Sequence, residues 1–350
     1  MKASLAAAAL AGALTLAACG SSDNGGGKSS NKPGNGAVVA GKPGGTLHVM
    51  SNGDVDYVDP GAAYYGFTFM MTYATQRPLF SYKPEDATKA VPDLAAGPAK
   101  VSADGKTVTV KIRSGVKFSP PVNRAATSAD VKYAIERGFN PHVANGYAGA
   151  WFGDIVGAKK AKGGSIAGIE TPDDQTIVFK LTRPNAATLI GALSLPLSAP
   201  VPKSYAAKYD AMKTPNQYGF YQVATGPYMI QNNASGKAVG YKPGRQILLV
   251  RNPNWDKSTD YRPAYLDRVE FDEGNTDAVG TSRRILSGSA MVNGQQDFNV
   301  PPQILKSLSK GSQTSQLTVG PQTGRVRYVS MTRRSSHSTT STSARPSRQR

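Results

Sequence analysis

The sequence predicts an α/β fold built on a mixed sheet. Short runs alternate apolar and polar residues at period two, other runs repeat at helical spacing, and turn dipeptides such as Asp104-Gly105 separate them. Strands and helices interleaved with hairpins argue against an all-parallel barrel. Of 350 residues 39% are hydrophobic, enough for a sizeable core, and 37 Gly with 24 Pro stay below the level of a low-complexity chain.

Taken in order, Leu47 and Val49 alternate after Gly44-Gly45-Thr46 and mark a first strand. Phe67, Met70, Met71 and Ala74 fall on one helical face, read as core. Val108, Val110 and Ile112 alternate after the Asp104-Gly105 turn, predicting a strand pair. Thr127-Ser128-Ala129-Asp130 opens a helix as a capping box, with Asp in the place of Glu, and Val131, Ala134 and Ile135 form its buried stripe up to Gly138. Ile177, Phe179 and Leu181 follow Asp173-Asp174 as another strand, and Arg183-Pro184 closes it. Asn185 to Leu195 reads as a weaker helix, and Tyr228 to Gln231, Ile247 to Arg251, and Val269 with Phe271 read as further strands.

Met1-Lys2 precedes an apolar run from Ala3 to Leu16, too short for the ~20 residues of a spanning helix and suited to a secretion signal. The run ends Leu16-Ala17-Ala18-Cys19-Gly20, which resembles the lipobox of bacterial lipoproteins, where the Cys is acylated. An ordinary signal peptide with an incidental Cys is the alternative. Cys19 is the chain's single Cys, so no internal disulfide exists, and the three His are scattered. No metal and no cofactor is expected. Acylation predicts an extracytoplasmic protein held to the cell membrane by lipid, at the cell surface or in a periplasm, with no role on nucleic acid. Residues 1–18 are then signal peptide, and 19–43, rich in Gly, Ser and Asn, a flexible tether.

Lys and Arg number 41 against 23 Asp and Glu, a net charge of +18. Part of the excess is local, since Arg333, Arg334, Arg345, Arg348 and Arg350 stand in a final stretch without acid. The scattered Lys read as a solvated surface. Catalytic patterns fail. Ser287-Gly288-Ser289 lacks the frame of a nucleophile elbow, Lys100 stands where a phosphate loop ahead of Gly105-Lys106-Thr107 needs Gly, and Gly34-Asn35-Gly36 lacks the third Gly of a dinucleotide fingerprint. Asp54, Asp56 and Asp59 lack the turn Gly and distal Glu of a calcium loop, and Asp272 and Glu273, adjacent on a strand, point to opposite faces. A non-enzymatic protein is expected.

Several stretches, in order, resemble the family 5 extracellular solute-binding proteins. They are Gly44-Gly45-Thr46-Leu47 with Asp56-Tyr57-Val58-Asp59-Pro60, Val91-Pro92-Asp93-Leu94-Ala95, Ser102 to Thr107 leading into Ile112 to Phe118, Thr127 to Lys132 with Glu136-Arg137, Ala224 to Tyr228, and Val250 to Trp255. The resemblance implies a periplasmic-binding-protein-like (type II) fold, two α/β lobes that close on a ligand. It implies a first lobe with an inserted subdomain over 44–315, the start of a crossover over 316–330, and a second lobe largely missing. Residues 331–350 form a disordered basic tail, either genuine or the product of a shifted reading frame. The implied role is capture of oligopeptides or similar small solutes for an ABC importer, with permease and ATPase subunits as partners and the protein itself a monomer. A basic surface lipoprotein adhering to anionic envelope polymer is the alternative, and a lipid-anchored hydrolase a second. Candidate ligand contacts are Asn52, Asp54 and Asp56 just after the first strand, and the aromatics Tyr64, Tyr65, Phe67 and Trp151. For each aromatic a core position is the competing reading, and for Asp56 the competing role is capping its own turn.

Overall fold

The computed structural model describes residues 41–310 except 52, 54, 84–85, 212–215, 289–291 and 294–299. The chain begins with strand β1 (Thr46–Met50) and helix α1 (Gly66–Thr75), then the hairpin β2 (Phe80–Lys83) and β3 (Asp86–Pro92). Strands β4 (Lys100–Val101) and β5 (Thr107–Lys111) follow, then helices α2 (Ser128–Arg137) and α3 (Ala148–Trp151) and strands β6 (Ile169–Asp173) and β7 (Thr176–Lys180). Helices α4 (Ala186–Ala192) and α5 (Lys203–Asp210) lead to β8 (Tyr228–Ile230), β9 (Tyr241–Lys242), β10 (Gln246–Arg251) and β11 (Arg268–Asp272). Helix α6 (Ala278–Leu286), β12 (Val292–Asn293) and α7 (Pro302–Lys310) complete the described chain.

The predicted α/β fold with a mixed sheet is what the chain forms. A six-stranded sheet runs β12-β1-β11-β10-β8, with β9 added to β10. β1 lies parallel to β11 and β12, whereas β10 is antiparallel to β11 and β8. Between β1 and β8 the chain builds a second, four-stranded antiparallel sheet, β4-β5-β7-β6. Each sheet has its own core. Val49, Phe67, Met71, Ile247, Leu249 and Phe271 fill the first, and Val108, Val110, Val131, Ile135, Phe152, Ile177 and Phe179 the second. Phe179 is fully buried, a side chain worth about 1.5–3 kcal/mol in removal from water.

The local reasons are those read from the sequence, with one correction. Gly105 turns the β4–β5 hairpin at φ +66°, in the region that favours glycine. Thr127 and Asp130 close the capping box of α2, the Asp130 carboxylate accepting from the Thr127 N–H at 2.9 Å. On α1 the buried face is Phe67, Thr68, Met71, Thr72 and Thr75, while Met70 is 42% exposed. The apolar stripe predicted there is rotated because threonines pack inward: the Thr72 and Thr75 hydroxyls donate to the Phe69 and Met71 carbonyls at 3.1 Å, which leaves their methyl groups for the core.

Candidate functional site at the carboxyl edge of the parallel strands

Three parallel strands, β12, β1 and β11, end at one edge of the main sheet, with β11 and β12 on opposite sides of β1. A crevice outside the carboxyl ends of such strands is where open α/β sheets place ligands. The Ser51 N–H donates to the Asp272 carbonyl at 2.9 Å and the Asn275 N–H to the Ser51 carbonyl at 2.8 Å, so the loops after β1 and β11 leave side by side. Val55 and Val58 anchor the β1 loop in the core, and Tyr57 between them is 49% exposed.

Asp56 turns back on its own loop. Its carboxylate accepts from the Tyr64 and Tyr65 N–H groups at 2.5 and 3.0 Å and from the Thr68 hydroxyl, which satisfies donors at the start of α1 and places negative charge at the positive end of that helix. Asn52 and Asp54 lie outside the described residues, as does Cys19. Phe67 lies in the main core, edge-on to Phe271 at 5.6 Å, and offers no wall to a ligand.

Tyr64 and Tyr65 are more than half exposed and meet edge to face at 6.3 Å. Tyr64 also stacks on Tyr147 at 6.2 Å and lies over Gly146, where a Cβ would come within 3.0 Å of its ring. Burial pushes the Tyr147 phenol up to about 12, so it is neutral at physiological pH. Asn145 ties this segment down, donating to the Gly61 carbonyl at 2.7 Å and accepting from the Tyr147 and Ala148 N–H groups. Trp151 ends the single turn α3 and is 49% exposed. Beside these residues a pocket of about 220 Å³ opens between Tyr57, Val143, Asn216, Phe220 and Tyr241.

What makes this surface rigid was not anticipated. Asp59, in the same loop, accepts from both terminal nitrogens of Arg137 at 3.0 and 2.7 Å, from the Gly61 N–H at 2.8 Å and from the Asn216 amide. Arg137 also donates to Asp210 at 2.6 and 2.8 Å and lies over the Tyr218 ring at 4.6 Å. Burial alone would lower the Arg137 pKa, but Asp59 and Asp210 override it and hold the guanidinium charged. The sequence signal was present in Asp59-Pro60 and Glu136-Arg137, but nothing in their spacing paired them. A second buried cluster sits at the opposite edge of the main sheet. Arg77 donates to Asp93 at 2.7 Å, and Arg262 bridges Asp93 and Asp260 at 3.0 Å to each.

Among the described residues no group of His, Cys, Asp and Glu could hold a metal ion, and no helix is long and apolar enough to cross a membrane. The surface can therefore offer flat aromatic faces, phenolic hydroxyls and backbone groups on a fixed base, which suits recognition of a small polar solute.

Comparison with known proteins points the same way. The sequence pattern of "Bacterial extracellular solute-binding proteins, family 5 Middle" matches residues 89–342. The dipeptide-binding protein of Escherichia coli is 29% identical over 211 residues, 56% of this chain and 37% of that protein. Among solved structures, clavulanic acid biosynthesis oligopeptide binding protein 2 superimposes with a TM-score of 0.67 at 29% identity, covering 78% of this chain and 48% of the other. The ABC transporter-associated periplasmic binding protein DppA from Helicobacter pylori, in complex with the peptide STSA, gives 0.61 at 21% identity over 77% and 50%. The fold is thus that of the periplasmic peptide-binding proteins, and the chain spans about half the length, or less, of the relatives it matches.

Proposed function

This chain belongs to family 5 of the bacterial extracellular solute-binding proteins, and we propose on that premise that it is the substrate-capturing lipoprotein of an ABC importer for oligopeptides or similar small solutes. It works outside the cytoplasm, moored through acylated Cys19, and delivers its ligand to permease and ATPase subunits. It is a monomer and performs no chemistry on what it carries. The names of its relatives, a dipeptide-binding protein and a binding protein with a bound peptide, support this reading of the ligand.

The observation that carries it is the exposed Tyr64–Tyr65 pair at the carboxyl edge of β1, seated on Gly146 and Tyr147 and fixed through Asp56. Exposed aromatics held this firmly lose little freedom when they meet a ligand, so they supply contact area at low entropic cost. Tyr57 and Trp151, each about half exposed, are offered as further contacts. Saturation-transfer NMR with a set of tripeptides tests the proposal. Transfer to peptide protons, reduced in Tyr64→Ala, is expected; absence of transfer at several millimolar peptide would overturn it. Mass spectrometry of the membrane fraction tests the anchor, with diacylated Cys19 at the new N-terminus expected and an unmodified thiol the contrary result.

A further inference from the structure

The main sheet has a second edge, and its chemistry differs. Thr46, Arg268, Val250 and Tyr228 mark the side where β1, β11 and β8 begin and β10 ends. It lies about 13 Å of strand away from the Tyr64 loop. Tyr73 near the end of α1, Tyr228, and Tyr261 and Tyr265 in the segment before β11 wall a cavity of about 420 Å³ there, of a size that takes small ligands. A neighbouring cleft of about 510 Å³ runs past Arg113 and Ser258, and Lys83 and Tyr261 line both spaces.

The charges around these spaces are unevenly matched. Arg77 and Arg262 are fully committed to Asp93 and Asp260 and to carbonyl oxygens. Among the described residues the Arg113 side chain makes two long bonds, 3.4 Å each, to the Asp93 and Ala95 carbonyls. Lys83 is exposed and holds its ammonium 5.7 Å from the Tyr261 ring centre. Neither Lys83 nor Arg113 meets a carboxylate among the described residues. Among the described residues the carboxylates that line the cleft, Asp93 and Asp260, are already neutralised, so the two cations leave a local positive excess beside an aromatic chamber.

We propose that this edge is a second binding site, for a small aryl-alkyl carboxylic acid whose ring enters the tyrosine chamber and whose carboxylate meets Lys83 and Arg113. The tyrosine faces receive the ring, and the guanidinium, with free N–H groups, and the ammonium make charge-assisted hydrogen bonds to the acid. The site is separate from the surface proposed for peptide capture and does not depend on it.

The probe is 3-phenylpropionate, with 3-phenylpropionamide as its uncharged counterpart, titrated into the full chain by ligand-observed NMR. We expect the acid to bind at least tenfold tighter than the amide, Lys83→Gln to weaken the acid about fivefold, and Lys83→Gln with Arg113→Gln to bring it to the amide's level. Tyr64→Ala should leave acid binding unchanged, and a tripeptide should not displace it. Equal binding of acid and amide, unaltered binding in Lys83→Gln, displacement by tripeptide, or no binding of the acid at about 5 mM, roughly five times a 1 mM Kd, would each overturn the proposal. Lys83 is exposed, so its variant reads the site even where Arg113→Gln perturbs folding. Failure of peptide binding at Tyr64 leaves each of these readings intact.

Discussion

Arg137 and Asp59, 78 residues apart in the chain, meet through two hydrogen bonds of 3.0 and 2.7 Å with both side chains almost wholly out of water. The pair joins α2, which packs against the antiparallel sheet, to the loop that carries Tyr57, Tyr64 and Tyr65. Because Asp210 shares the same guanidinium, one arginine holds the end of α5 as well.

Replacing Arg137 by Gln leaves two buried carboxylates without their cation. Breaking such a cluster from one side costs about 3–5 kcal/mol. Urea denaturation should show a loss of this size, and a loss under about 1 kcal/mol would mean that water reaches the cluster.

Gly226 allows no side chain. A Cβ there would fall 2.8 Å from the Ala74 carbonyl oxygen and the Thr75 backbone carbon, neither of which can swing aside. Gly226→Ala should cost about 1–3 kcal/mol by overpacking, read as a lowered denaturation midpoint with an unchanged slope; an unaltered midpoint would contradict the tight packing of α1 on this turn.

Asp260 predicts an acid limb. Burial raises its carboxyl pKa, but Arg262 and Arg77 more than offset this and hold it below its ordinary value. The folded value thus lies below the unfolded one, so its contribution is complete above about pH 4, the unfolded value, and is lost as pH falls through the folded value. Between pH 5 and 2.5 the wild-type protein should lose stability more steeply than Asp260→Asn. Parallel curves would assign the acid limb to other groups.

Tyr64→Ala separates folding from binding. The ring is 56% exposed, so its removal should cost only its ring contacts with Tyr147 and Tyr65, about 0.5–1.5 kcal/mol each. Peptide transfer signals should fall several-fold. A large stability loss with binding retained would make Tyr64 a structural residue.

Legibility in the sequence followed the range of the interaction. Thr127 and Asp130 are three residues apart, and Asp104-Gly105 needs only its own turn, so both could be read directly. The α1 stripe was misjudged at Met70 because counting apolar residues overlooks threonines that bond their own helix. At the site, Tyr64 and Tyr65 stood out as aromatics, whereas Arg137, Asp59, Arg77 and Asp93 could not be paired, since nothing local distinguishes a buried ion from a solvated one. Three of them, Asp59, Asp93 and Arg137, nonetheless lie within the stretches that carry the family resemblance, so those stretches contribute to the buried charge clusters as well as the turns.

Strand β1 cannot complete its main-sheet pairing early. Its partner β11 comes 222 residues later, whereas β4 to β7 find one another within a much shorter stretch of chain. Pairing across so long a loop is slow and comes after local contacts have formed. During synthesis the antiparallel sheet can therefore consolidate while β1 still waits for its partner, so the two cores become whole at different moments in the life of the chain.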